Sequence, residues 1–394
     1  MVNAKYYQPG GPMFIFVGGE WEISEAFLLY GHIHDMAREH GAIFYYTEHR
    51  YYAQNVSNYS KILKKNSTSS NTTKASLAYL NSRQALADLA LFIQQQKASF
   101  KMGLKNTAVI LTGGSYSGSL VSWFSKIHPQ LATASWASSA PIFAKADFYE
   151  YLERVAFAME TLGGSKCYHR LQNGIKALHQ QLIDPQGQDL RDALKLCSDF
   201  DATNELDVAA FFNSISNYFA AIVQTYRYIL QVSFITLRLT LLCIFFWPTL
   251  DPLANWFTVL PTCNEFGWYT TSSSSLSSPS HSHSHSHSPP QPQQLFGPHF
   301  NLTFFVQLCA DVFGPKHTAA YLKLHIAQTN NMYATDGLQQ TYENVIMTHG
   351  QLDPWRAVGL EQGRNVFVIP GEFVFSSLRV ASFVRRHIWR THNN

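Results

Sequence analysis

The run "ILTGGSYSGSLVSWF", Ile110 to Phe124, constrains this chain more than any other stretch. Beta-branched and apolar residues lead into two glycines, a lone serine, another small pair, and then helical text. That pattern reads as a strand, a sharp turn and a helix. A serine on such a turn is lifted to the edge of a sheet. Only small residues fit two positions before it and about two after, because larger side chains would collide with the neighbouring strand and helix. Gly113 stands two before Ser115, and Ser117 stands two after, with Gly118 next. The spacing departs from G-x-S-x-G at one place, where the substitute is also small. The competing reading is a glycine-rich turn without chemistry.

The flanking text supports a sheet. "MFIFV" (Met13 to Val17) is a short apolar run ending in Gly18-Gly19, and "AIFYY" (Ala42 to Tyr46) is a second. Ala108 to Leu111, Thr133 to Ala137, Asn344 to Met347 and Val366 to Ile369 read as further strands. Ala26 to His40 reads as helical. Ser82 to Gln95 carries Leu86, Leu89, Ala90 and Ile93 at the i, i+3, i+4, i+7 spacing of one helix face. Alternating strands and helices argue a doubly wound α/β core. The 394 residues are 46% hydrophobic and only 14% charged, which suits a large buried interior. A formal charge of +3 with scattered basic residues gives no footprint for nucleic acid.

From about Tyr149 to Gln224 the text is helical and reads as an insertion between core strands. Three segments are expected: a first core part over 1–148, a helical cap over 149–262, and a second core part over 263–394. Tyr228 to Trp247 is nearly all apolar and long enough for a bilayer, but Arg238 near its middle makes a membrane span costly. A membrane partner is therefore not expected. Residues 272–294 are a Ser/His-rich low-complexity loop. Its His281, His283, His285 and His287 lie on a flexible tract, which binds many metals loosely and without a defined geometry, so no metal is expected. Sequons at Asn55, Asn58, Asn66, Asn71 and Asn301 fit a secretory setting, and the start of the chain does not read as a signal peptide.

A serine hydroxyl needs a base to take its proton, a carboxylate to orient that base, and donors for the oxyanion. In folds of this type the acid follows a late strand and the histidine follows the last one. Asp353 follows "NVIM" at a turn stiffened by Pro354. After "VFVIPG" the text reads "EFVFSSLR", without a histidine. His387 and His392 come later, in a basic tail.

The blocks "YYQPGGPMFIFVGGE", "EHRYY", "QALADLALFI", "GGSYSGSLVSWF", "ASSAPIFAKADFYEY", "TCNEFGWY", "LCADVFG" and "NVIMTHGQLDPW" occur in this order. With them the chain resembles the prolyl-specific serine carboxypeptidase family, and within it the thymus-specific serine protease type. The resemblance covers most of Tyr6 to Gln224 and Cys263 to Pro370. It implies an α/β-hydrolase core with a helical cap, and cleavage of peptides next to proline without a cofactor. It assigns the nucleophile to Ser115, the triad acid to Asp353, and an oxyanion donor to the backbone N–H of Tyr116. It places the other donor and part of the substrate site at Gly18, Gly19 and Glu20. It implies the disulfides Cys167–Cys197 and Cys263–Cys309, leaving Cys243 over. It implies a lysosomal, endosomal or secreted protein and leaves a homodimer open.

The chain also departs from the family. The Pro-Gly-x-x-His-Cys segment expected after Ile369 is replaced, which leaves His387 as the substitute candidate for the base. His349 stands where asparagine is usual and reads as a loop residue. The abrupt breaks between matched blocks suggest a chain with skipped or retained coding segments. The alternative to an active peptidase is a catalytically inactive member.

Overall fold

The computed structural model describes residues 1–52, 77–99, 103–196, 200–229, 259–272 and 295–370. Its strands are β1 (Val2–Asn3), β2 (Met13–Phe16), β3 (Ile43–Tyr46), β4 (Val109–Gly114), β5 (Ala134–Ser138), β6 (Lys145–Asp147), β7 (Gly267–Tyr269), β8 (Val345–Gly350) and β9 (Val366–Ile369). Two units can be described. One comprises Met1–Phe143, Gln328–Gln351 and Val358–Asn394, and the other Ala144–Ala327 and Leu352–Ala357.

The first unit is an α/β core built on a mostly parallel sheet. Its seven strands run in the order β1-β3-β2-β4-β5-β8-β9. Among the described strands of this sheet, only β1 is antiparallel to its neighbour. Parallel sheets are covered on both faces, so their strands read as unbroken apolar runs rather than alternating ones. β2 and β3 obey this rule, with every residue buried. The chain passes from β2 outward to β3, then returns to β4 on the other side of β2. Connections therefore leave β2 and β4 in opposite directions. A crevice opens outside the carboxyl ends of strands at such a switch point.

The stretch Ala26 to His40 is helical in two pieces. Two helices form, α1 (Ala26–Leu29) and α2 (His32–Glu39). Gly31 separates them at φ 96°, a conformation that a side chain disfavours. The next helix, α3 (Ser82–Ala98), starts where the Asn81 side chain accepts the Gln84 N–H at 2.9 Å. It buries Leu86, Leu89, Ala90 and Ile93, the face its spacing dictates. Then comes α4 (Tyr116–Ile127), which buries Trp123 against the Tyr333 ring with centroids 4.5 Å apart. Lys126 Nζ donates to the Tyr333 carbonyl, Thr335 Oγ1 and Gln340 Oε1, tying this late segment of the chain to α4.

The second unit holds α5 (Glu150–Ile183), α6 (Gln188–Ala193), α7 (Glu205–Ile229), α8 (Leu302–Phe313) and the start of α9 (Ala319–Tyr333). α5 breaks at Gly164, where φ is 77°. β6 and β7 pair in parallel as a separate two-stranded sheet. The expected return to the core at residue 263 is corrected by this pairing. Residues 263–327 stay with the helical unit, because β7 is bonded to β6 and Cys263 is disulfide-bonded to Cys309. Part of α7, Glu205–Gln224, is long and apolar enough to cross a membrane. Its Val208, Ala209, Phe211, Phe212, Ala220 and Val223 are buried.

Several expectations lie outside the described residues: most of the apolar run 228–247, the loop from residue 273 onward, the tail bearing His387, Cys197, Cys243, and the sequons at Asn55, Asn58, Asn66 and Asn71. Asn301 is described, and its side chain caps α8 by accepting the Thr303 N–H at 2.9 Å. Cys167 is exposed on α5.

Candidate active site

β4 ends at Gly114 and α4 begins at Tyr116, so Ser115 alone makes the turn. Its backbone sits at φ 56° and ψ −134°, a region costing about 1–3 kcal/mol for a residue with a side chain. Surrounding bonds hold it there. The Ser115 N–H donates to the Ser138 carbonyl at 2.9 Å, and its own carbonyl accepts Gly118 N–H at 2.9 Å and Ser119 N–H at 3.2 Å. The Ser117 hydroxyl donates to the Gly114 carbonyl and accepts the Gly114 N–H, both at 2.9 Å.

The steric demand falls on Gly113 and Gly118. A Cβ on Gly113 would lie 2.4 Å from the Ser117 carbonyl oxygen. A Cβ on Gly118 would lie 3.0 Å from the Ala140 Cβ and 3.2 Å from the Ser138 oxygen. Ser117 is small, as the spacing requires, but its hydroxyl also locks the turn. Gly113→Ala is expected to lower stability by about 3 kcal/mol, and Ser117→Ala by about 1 kcal/mol, read from urea denaturation midpoints. Equal losses would contradict this division of roles.

Tyr116 opens α4, so its backbone N–H lies at the positive end of the helix dipole, beside Ser115. Gly18, Gly19 and Glu20 leave β2, the strand next to β4, where Val17 N–H donates to the Thr112 carbonyl at 2.9 Å. The sequence candidates Ser115, Tyr116, Gly18, Gly19 and Glu20 thus occupy the carboxyl ends of two neighbouring strands at the switch point. Gly18 is obligatory there, since a Cβ would lie 2.4 Å from the Thr47 oxygen.

Glu20 Oε2 is buried without a hydrogen-bond partner among the described residues. Burial pushes its carboxyl up to about 7, against the opposing effect of its own backbone N–H. A raised carboxyl favours folding fully below its unfolded value near 4.5 and loses that contribution as pH rises through about 7. Glu20→Gln is therefore expected to match the parent in stability at pH 4.5 and to exceed it by about 2–3 kcal/mol at pH 8, measured by chemical denaturation. A constant difference across that range would refute the assignment.

Asp353 belongs to the helical unit and is fully buried. Its Oδ1 accepts the Trp355 N–H at 2.9 Å, and its carbonyl accepts the Arg356 N–H at 3.3 Å. The Trp355 ring packs against Phe148, Tyr151 and Trp268, with centroids 5.2 to 6.0 Å apart. The carboxylate turn is thereby anchored by an aromatic cluster. Burial, with a smaller contribution from the Asp353 charge, raises the Tyr151 phenol above its usual range.

His349 corrects an expectation: it is a strand residue, not a loop residue. β8 continues through Gly350 because β9 pairs with it as far as Ile369, with His349 opposite Val368. The ring is buried, and a Cβ on Gly359 would fall 2.4 Å from its Cε1.

Reading for nucleophile, acid and base overlooked His49, Arg50 and Asp88. Arg50 Nε and Nη2 grip Asp88 of α3 at 2.6 and 2.5 Å. The signals were the polar "EHR" one residue after a buried strand and its place in the block "EHRYY".

The family model for serine carboxypeptidase S28 matches residues 1–245 and 252–372. Thymus-specific serine protease of Mus musculus is 26% identical over 400 residues, 89% of this chain and 71% of that protein. Prolyl carboxy peptidase like protein 5 of Caenorhabditis elegans is 34% identical over 162 residues, 40% of this chain and 30% of that one. Lysosomal Pro-X carboxypeptidase of Homo sapiens is 30% identical over 204 residues, covering 50% and 39% respectively. With that match over nearly all its length and a strained serine between β4 and α4, the chain belongs to the serine carboxypeptidase S28 family of serine peptidases.

Proposed function

We propose that this protein is a serine exopeptidase that hydrolyses peptide bonds adjacent to proline. The observation carrying this reading is the strained Ser115 turn in a chain of this family. In the proposed cycle Ser115 Oγ attacks the scissile carbonyl carbon, and its proton passes to a histidine that Asp353 orients. The backbone N–H of Tyr116 and a donor from the Gly18–Glu20 loop stabilise the oxyanion. The histidine then protonates the departing amine, and water hydrolyses the acyl-enzyme by the same route. His387 is the sequence candidate for that histidine. Specificity for proline is proposed from the relatives whose names carry it. A lysosomal or secreted location and a homodimer belong to the same proposal.

A second reading, a non-catalytic member, is favoured by the replaced text after Ile369. Two measurements separate the readings. A fluorophosphonate probe should label Ser115, located by peptide mass spectrometry. Peptides with proline at the penultimate carboxyl-terminal position, or second from the amino end, should be cleaved faster than their alanine counterparts. No labelling of folded protein establishes the non-catalytic reading, and equal rates for proline and alanine peptides remove the specificity.

A further inference from the structure

The His49 ring lies buried behind the elbow, on the segment leaving β3. Its Nδ1 is 2.8 Å from the Arg50 carbonyl oxygen. A carbonyl only accepts, so the ring proton sits on Nδ1 and Nε2 is left with its lone pair. Nε2 is 3.3 Å from the Tyr116 hydroxyl, which therefore donates to it. The two rings lie 5.6 Å apart, and Tyr52 packs edge-on to His49 at 5.1 Å. Arg50, whose carbonyl sets the tautomer, is itself fixed by two bonds to Asp88, which also accepts from Gln84 at 3.2 Å. Fixed bonds thus run from α3 through Arg50 and His49 to the first residue of α4.

We propose that His49 is a positioning residue, which holds the Tyr116 side chain and thereby aims the Tyr116 backbone N–H that borders Ser115. Burial keeps the imidazole neutral down to about pH 4, so one tautomer persists through the neutral range. Tyr116 carries two tasks on one residue: its phenol is tied to His49 and its amide faces the reacting centre. Freeing the phenol leaves the first turn of α4 less constrained. Small displacements of oriented groups cost rate, because a donor acts only within a narrow range of the developing oxyanion.

This inference rests on the proposed peptidase function, and its test is built to fail separately from it. His49→Phe keeps ring volume and removes the acceptor. Tyr116→Phe removes the donor and leaves the backbone amide in place. Each is expected to lower kcat on a proline peptide about tenfold with KM within about twofold, since the lost interaction serves the transition state. The double variant should fall no further than either single one, because both remove the same link. His49→Gln, which can place an acceptor near the phenol, should recover part of the rate. Folded variants with parental kcat, or losses that multiply in the double variant, overturn the inference. If His49→Phe does not fold, Tyr116→Phe carries the comparison.

Absence of turnover in the parent overturns the peptidase proposal instead. Hydrogen exchange of the Tyr116 amide then decides the inference. Exchange about tenfold faster in Tyr116→Phe sustains it, and unchanged exchange overturns it.

Discussion

Ser115→Ala is expected to remove turnover almost entirely, by on the order of 10⁶ in kcat. Loss of a serine nucleophile costs about as much as loss of a whole triad, since the remaining groups have nothing to activate. The substitution is also structurally mild. The turn is held by backbone bonds to Ser138, Gly118 and Ser119, and by the Ser117 hydroxyl, none of which uses the Ser115 side chain. Alanine meets the same backbone strain as serine at φ 56°. The melting temperature should therefore stay within a few degrees while probe labelling and peptide hydrolysis vanish. Retained hydrolysis in Ser115→Ala would assign the chemistry to another residue.

Asp353→Asn is expected to lower kcat by about 10⁴, the loss seen when an orienting carboxylate becomes an amide and the histidine is held in the wrong tautomer. Here too the fold should survive. The asparagine oxygen can still accept the Trp355 N–H, and the aromatic cluster around Trp355 remains. The decisive measurement pairs kcat with an urea unfolding curve. A large fall in kcat at near-parental stability identifies an orienting acid. Parental kcat would reduce Asp353 to a structural turn residue, and a matching fall in stability would leave its effect one of folding.

Much of this was legible in the amino-acid order because the governing rules are local. Strands β2, β3 and β9 follow from apolar runs of four, and α3 follows from a repeat whose buried face it reproduces. The elbow follows from a steric demand that operates within a few residues. Other features were illegible because they depend on partners far away in the chain. Gly118, rather than Ser117, bears the close approach to the end of β5, where Ser138 closes the strand and Ala140 follows it. His349 is a strand residue because β9 extends the ladder. Residues 263–327 belong with the helices because β7 bonds to β6 more than a hundred positions earlier, and because Cys309 closes a loop of 46 residues onto Cys263.

By itself, the sequence determined that a serine would sit on a strained strand-to-helix turn in an α/β core, and that Asp353 would follow a late strand. Tertiary structure alone decided what holds that serine's neighbour: His49 with its proton on Nδ1, Arg50 locked to Asp88, and a Tyr116 phenol with an acceptor. The physical reason is reach. Periodicity and steric exclusion act over a few residues, whereas the ring of His49 meets Tyr116 across 67 positions only once β3 and β4 have both paired with β2, which lets the segment leaving β3 reach the elbow after β4.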